Sequence, residues 1–181
     1  MSDSKEKIHP NKKLVTAYNQ MMARIKTALE DTEQQAGPVL HKALDKAKAI
    51  AVELGELTRE EAENVASYIQ RDIHDAAEHL LETGQELGQW LRFDIHLIEQ
   101  RLFEMFASVA DQTRIELTSL AERAKAAHHY HTGEITGPGT LACLSCQQII
   151  HFHATGHIPP CPKCHATIFC RQGQKAPKSN H

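Results

Sequence analysis

From Asn11 to about Ala127, apolar residues recur at spacings of three and four, the pattern of helices that each bury one narrow face. The first run, Leu14, Tyr18, Met21, Met22, Ile25 and Leu29, opens after Pro10 and is broken at Gly37-Pro38. Proline is tolerated in a first helical turn, so a second helix can start there. Its seam is Leu40, Ala43, Leu44, Ala47, Ile50, Ala51 and Leu54, closed by Gly55. Thr58-Arg59-Glu60-Glu61 then predicts a capping box, with the Thr58 hydroxyl and the Glu61 carboxylate each satisfying a free backbone N–H at a helix start. A third seam, Ala62, Val65, Ile69, Ile73, Ala76, Ala77 and Leu80, runs to Thr83-Gly84. A fourth segment, from about Gln85 to Ala127, carries Leu87, Trp90, Leu91, Ile95, Ile98, Leu102, Phe106, Val109, Leu117 and Leu120. Between Trp90 and Phe106 its apolar residues cover more than one face, which fits either a helix buried among neighbours or a docking surface.

Past Ala127 the character changes. Glycines, prolines and β-branched residues enter and charge falls, which marks a domain boundary by composition. The expected organisation is a disordered N-terminus over 1–10, a helical region over 11–127, a zinc ribbon over 128–171, read from the paired CxxC sequences Cys143/Cys146 and Cys161/Cys164, and a disordered tail over 172–181. The expected fold class is mainly α: an elongated antiparallel helical bundle or coiled coil, followed by a small β zinc ribbon.

The chemistry concentrates in the second part. Cys143-Leu144-Ser145-Cys146 is followed, fourteen residues later, by Cys161-Pro162-Lys163-Cys164. Each CxxC folds as a tight turn that aims two sulfurs at one point, and two such turns close a tetrahedron of thiolates around zinc. Gln148–His153 reads as a strand, Thr155-Gly156 as its turn and Thr167–Cys170 as the returning strand of a hairpin. Thr132–Thr140 reads as a turn and a first ribbon strand. Four cysteine ligands leave no position for water or substrate, so the predicted cofactor is one structural zinc ion at Cys143, Cys146, Cys161 and Cys164. A module this small gains its folding free energy from the metal. Replacing Cys143 or Cys161 with Ser is therefore expected to unfold residues beyond about 132 and to leave the helices intact. Cys170, the fifth cysteine, reads as a small buried strand residue.

Charge and composition narrow the function classes. Up to His131 there are 16 basic and 22 acidic groups, a net of −6; beyond it there are 4 and 1, a net of +3. Four thiolates and one zinc add −2 to that +3, which leaves a faint field of about +1. Nucleic-acid or ribosome binding through the ribbon and basic tail, with Phe152 and Phe169 stacking on bases, is thus the second reading. No run of apolar residues approaches a membrane span, and no apolar stretch follows the polar N-terminus, so a cytoplasmic protein is expected. The thirteen histidines include His128, His129, His131, His151 and His153, which are the groups a second, catalytic metal would need; exposed imidazoles are the preferred reading. His165 reads as a neighbour of the zinc site, not as a ligand. There is no Gly-x-Ser-x-Gly, no His-Glu-x-x-His and no Walker-type Gly-Lys-Ser/Thr, and the one Glu-x-x-His, Glu6/His9, precedes Pro10. No catalytic residue is expected.

The stretch from Tyr130 through Gly133-Glu134-Ile135-Thr136-Gly137-Pro138-Gly139 to Cys143, with His157-Ile158-Pro159-Pro160-Cys161-Pro162-Lys163-Cys164, resembles a bacterial zinc-ribbon-containing family typified by YbeL. Leu57–Glu61, Tyr68–Asp72 and Val109–Arg114 resemble it in the helical half. The resemblance covers most of the chain past Pro10 and implies helices, then a C-terminal ribbon with the four cysteines as ligands. It implies no activity, since the family is uncharacterised. One departure is Gln147, where a ribbon commonly has Gly after its first CxxC; a non-Gly residue at φ > 0 costs about 1–2 kcal/mol. The function expected is that of a non-enzymatic interaction protein, in which the helices serve protein partners or self-association. The ribbon would present Ile158, Pro159, Pro160, Lys163 and His165 to a partner.

Overall fold

The computed structural model describes residues 10–30, 39–83, 104–105, 107–110 and 129–171. Three helices come first: α1 (Pro10–Glu30), α2 (Val39–Glu53) and α3 (Arg59–Thr83). Six short strands follow: β1 (Tyr130–His131), β2 (Ile135–Thr136), β3 (Gly139–Cys143), β4 (Ile149–Phe152), β5 (Gly156–His157) and β6 (Ile168–Arg171). The architecture is a helical part followed by small antiparallel sheets.

Each helix touches the other two, and the predicted seams form their common core. Tyr18, Met21, Met22 and Ile25 of α1 are fully buried against Leu40, Ala43, Leu44, Ala47 and Ala51 of α2 and Val65, Ile69 and Ile73 of α3. Alanine at the contacts lets the helices approach closely. The turn after α2 obeys the glycine rule: Gly55 sits at φ +68, and the N–H groups of Gly55 and Glu56 donate to the carbonyls of Val52 and Ala51. Leu54 falls in that turn and is 64% exposed, contrary to its place in the predicted seam; Leu57 is buried instead. The capping box forms as expected, with Thr58 N–H donating to Glu61 Oε2 at 2.8 Å and Glu61 N–H to Thr58 Oγ1 at 3.2 Å. Of the fourth predicted segment, 104–105 and 107–110 are helical, and Val109 and Ala110 join the helical core. The rest of it, the boundary near 127, the N-terminus and the tail lie outside the described residues.

The larger sheet has the order β1-β6-β3-β4, and β2 pairs with β5 in a second, two-stranded sheet; every pairing is antiparallel. This corrects the hairpin expected between 148–153 and 167–170. Both strands form, but each pairs with β3, one on either side. All five residues of β3 are buried, so its backbone groups need partners on both edges. Gly156 is no hairpin turn; it pairs with Thr136, while the neighbouring Thr155 hydroxyl donates to Asn19 Oδ1 on α1 at 2.6 Å. The smaller sheet thereby lies against α1 and α3, and Ile135 of β2 is buried within the helical core.

Candidate metal centre

The two CxxC turns are built alike. In the first, Gln147 N–H donates to Cys143 O and Cys143 N–H to Gln148 O; in the second, His165 N–H donates to Cys161 O and Cys161 N–H to Ala166 O, all at 2.9 Å. Closing each turn puts the residue after its second cysteine in the left-handed region, Gln147 at φ 58 and His165 at φ 59. The strain expected at Gln147 is therefore present, and it is repeated at His165. β3 delivers Cys143 from the sheet, and the second turn delivers Cys161 and Cys164 from the loop between β5 and β6.

The four Sγ atoms of Cys143, Cys146, Cys161 and Cys164 lie within 4.8 Å of one another. Cys143 Sγ is 3.6 Å from Cys164 Sγ, and Cys146 Sγ is 3.5 Å from Cys161 Sγ. Zinc–sulfur bonds of about 2.3 Å give a tetrahedron with edges of about 3.8 Å, so the sulfurs fit the ion. Their acid–base chemistry points the same way. Burial opposes charge on Cys161, but N–H groups of Cys164 and Lys163 directed at its sulfur bring its pKa down to about 6. At Cys164 an N–H from Ala166 favours the thiolate, yet the neighbouring sulfurs and burial push it up to about 12. The Cys161 thiolate is thus favoured, while the Cys164 thiol holds its proton against the neighbouring sulfurs unless a cation shares the site.

The other sequence-predicted groups stand apart from this cluster. Cys170 is buried in β6, its thiol directed at Ala142 O 3.8 Å away. His165 is exposed. His151 meets the Thr140 hydroxyl at 2.9 Å, and His131 lies 3.3 Å from Glu134. His129 and His153 are exposed, and His128 lies outside the described residues. Among the described residues the four cysteines are the only group arranged to hold a metal. Phe152 and Phe169 are buried beside Cys143 and Cys161, so they cover the knuckles and present no ring to a base. Ile158 is likewise turned inward, at 1% exposure, which removes it from the predicted presenting face.

A residue set with no sequence forecast joins this centre to the helices. Tyr68, Arg71, Asp72 and Asp75 share one face of α3, at helical spacings of three and four. Asp72 is wholly buried and collects five partners, one of them its neighbour Arg71, whose Nε lies 3.4 Å from Oδ1. It accepts from the Tyr18 hydroxyl at 2.7 Å, from Gly137 N–H at 2.7 Å and from the Thr136 hydroxyl at 3.2 Å, and it lies 3.5 Å from Arg171 Nη2. Arg71 donates to Ile135 O at 3.0 Å and pairs with Glu134. Two guanidiniums lie over the Tyr130 ring, the Arg71 Cζ 3.8 Å and the Arg171 Cζ 5.0 Å from its centroid, while its hydroxyl donates to Asp75. Two arginines thus meet three acids. Burial pushes Asp75 up to about 7, helped by the Asp72 charge and opposed by Arg171, Tyr130 and Arg71. The sequence signal was there only as charges inside an α3 stretch, 71–77, that is buried throughout.

A family described as a zinc-ribbon containing domain matches residues 27–173. The match spans helices, ribbon and all four cysteines. The chain belongs to this family. As a zinc-ribbon protein it has a single structural zinc, held by the tetrad. It is 26% identical, over 166 residues, to the uncharacterized protein YbeL of Escherichia coli strain K12, and equally to YbeL of the O6:H1 and O157:H7 strains. These alignments cover 88% of this chain and 96% of each relative. No solved structure matches this zinc-ribbon protein. No helix among its described residues is long and apolar enough to cross a membrane.

Proposed function

We propose that this zinc-ribbon protein is a non-enzymatic, cytoplasmic interaction protein, in which zinc shapes a protein-docking knuckle and the helices, extended as an elongated antiparallel bundle, serve as a platform or self-association surface. The observation that carries the reading is the second knuckle. Its base is fixed, with Ile158 and Cys161 buried, while Pro159, Pro160, Pro162, Lys163 and His165 stand exposed around it. Prolines and a metal-fixed turn lose little conformational entropy on binding, which favours a preorganised protein contact. Four thiolates fill the coordination shell of the zinc, so the ion itself has no site for substrate.

The nucleic-acid reading is the weaker one on charge. Arg171, one of the basic residues counted for the ribbon, is buried against Asp72, which leaves Lys163 as the exposed Lys or Arg among described ribbon residues. Photocrosslinking from position 163, with Glu60 on the exposed start of α3 as the control position, separates the two. Protein adducts formed at 163, absent at 60 and unchanged by nuclease, support docking. Adducts abolished by nuclease move the nucleic-acid reading to first place, and identical adducts at both positions refute a docking role for the knuckle.

A further inference from the structure

We infer that the Asp72 cluster couples zinc occupancy to the order of the helices, so that the helical part responds to the state of the metal centre. Asp72 receives three donors or charges from the ribbon side, Thr136, Gly137 and Arg171, one from α1, Tyr18, and one from its neighbour on α3, Arg71. Thr136 and Gly137 lead directly into β3, which ends in the ligand Cys143. Arg171 ends β6, which pairs with that same strand, Arg171 opposite Leu141 and Phe169 opposite Cys143. The path from metal to helix is therefore one strand pair. Three further contacts run parallel to it: Ile135 in the helical core, Tyr130 on Asp75, and Thr155 on Asn19.

The physical consequence follows from burial. Asp72 and Arg171 are 0% and 1% exposed and pair across the boundary between the two parts of the chain, while Asp72 also keeps Arg71 and Tyr18 within the helical part. A buried charge whose partner is removed is strongly destabilising. Loss of zinc frees β3 and β6, withdraws those partners and Ile135, and opens the face of α3 that bears Tyr68, Arg71, Asp72 and Asp75. The sequence alone leads to a ribbon that folds and unfolds independently; the proposed coupling instead links its unfolding to the helices. Linkage is reciprocal, so a helical change that weakens the cluster must weaken zinc binding by the factor by which zinc strengthens the cluster.

Tyr18 makes the test clean, because it sits on α1 and has no place in the ribbon. Burial and the Asp72 charge hold its pKa well above the ordinary value, so the hydroxyl remains a donor. Zinc affinity is measured on the full chain by competition with a chromophoric chelator. Tyr18→Phe is expected to weaken zinc binding about three-fold and Asp72→Asn about ten-fold, in the range of ordinary allosteric couplings. Lys48→Ala, which breaks surface pairs with Asp45 and Glu63 and touches no member of the cluster, is expected to leave it unchanged. The second readout is amide hydrogen exchange in the wild type after zinc removal, with protection expected to fall across 66–77 as well as across the strands. Unchanged zinc affinity in Tyr18→Phe together with unchanged α3 protection in the zinc-free protein would overturn the coupling, and would return the ribbon to an independent module.

Discussion

Arg171, at the end of the last ribbon strand, lies 3.5 Å from the carboxylate of Asp72 in the middle of α3, and neither side chain reaches solvent. The pair joins two segments separated by about half of the chain. With the smaller sheet lying against α1 and α3, it ties the ribbon to the helical part.

Gly139 is where this arrangement is least forgiving. It holds φ +152, and a Cβ built there would stand 1.9 Å from Arg171 Nη1. Gly139→Ala is expected to destabilise the protein by about 2 kcal/mol or more, through backbone strain and displacement of the guanidinium. Thermal unfolding checks this, and an unchanged midpoint would show that the guanidinium is not seated over Gly139.

Asp75 gives the fold a pH dependence of definite sign. Its folded pKa, about 7, stands above the value near 3.9 of an unfolded aspartate. Between these values the folded state holds the extra proton, so the contribution of Asp75 to stability is full below about pH 4 and is lost as pH rises to about 7. Zinc binding has the opposite trend, since its thiols must ionise. Comparison with Asp75→Asn isolates the aspartate: the difference in unfolding free energy between wild type and variant should shift against the wild type, by a few kcal/mol at most, from pH 5.5 to 8. A pH-independent difference would contradict the assignment.

Gln147 and His165 each carry a left-handed backbone without being glycine. Gln147→Gly is expected to relieve about 1 kcal/mol of that strain, seen as a higher unfolding midpoint and slower zinc release to a chelator. A lower midpoint would mean that the Gln147 side chain contributes more than its backbone costs.

Cys170 is expected to be dispensable for the metal. Cys170→Ala should retain zinc and cost about 1 kcal/mol or less of packing in β6. Zinc content after dialysis decides it; loss of the ion would mean that Cys170 exchanges into the tetrad.

The parts legible in the sequence are those governed by local rules. The capping box at Thr58 and Glu61, the glycine stop at Gly55 and the cysteine knuckles each need only a few neighbouring residues, and each formed as expected. Seam residues such as Met21, Ala47 and Ile69 were legible because one helix face repeats every three or four positions. The failures were tertiary. Strand pairing is non-local, so the choice of β3 as the shared partner of β4 and β6 left no mark at 148–153 or 167–170. Arg171 read as part of a basic ribbon end, and the burial of Asp72 and Asp75 went unread, since their partners across the boundary lie more than thirty residues away. Ile158 read as a presenting residue because it adjoins the exposed prolines, although it faces the ribbon core.

The most direct measurement is the metal content of the intact chain by native mass spectrometry, taken for the wild type and for Cys161→Ser. The account predicts one zinc per wild-type chain and none retained by the variant. A wild type that carries no zinc, or a variant that keeps a tightly bound ion on its histidines, would contradict it.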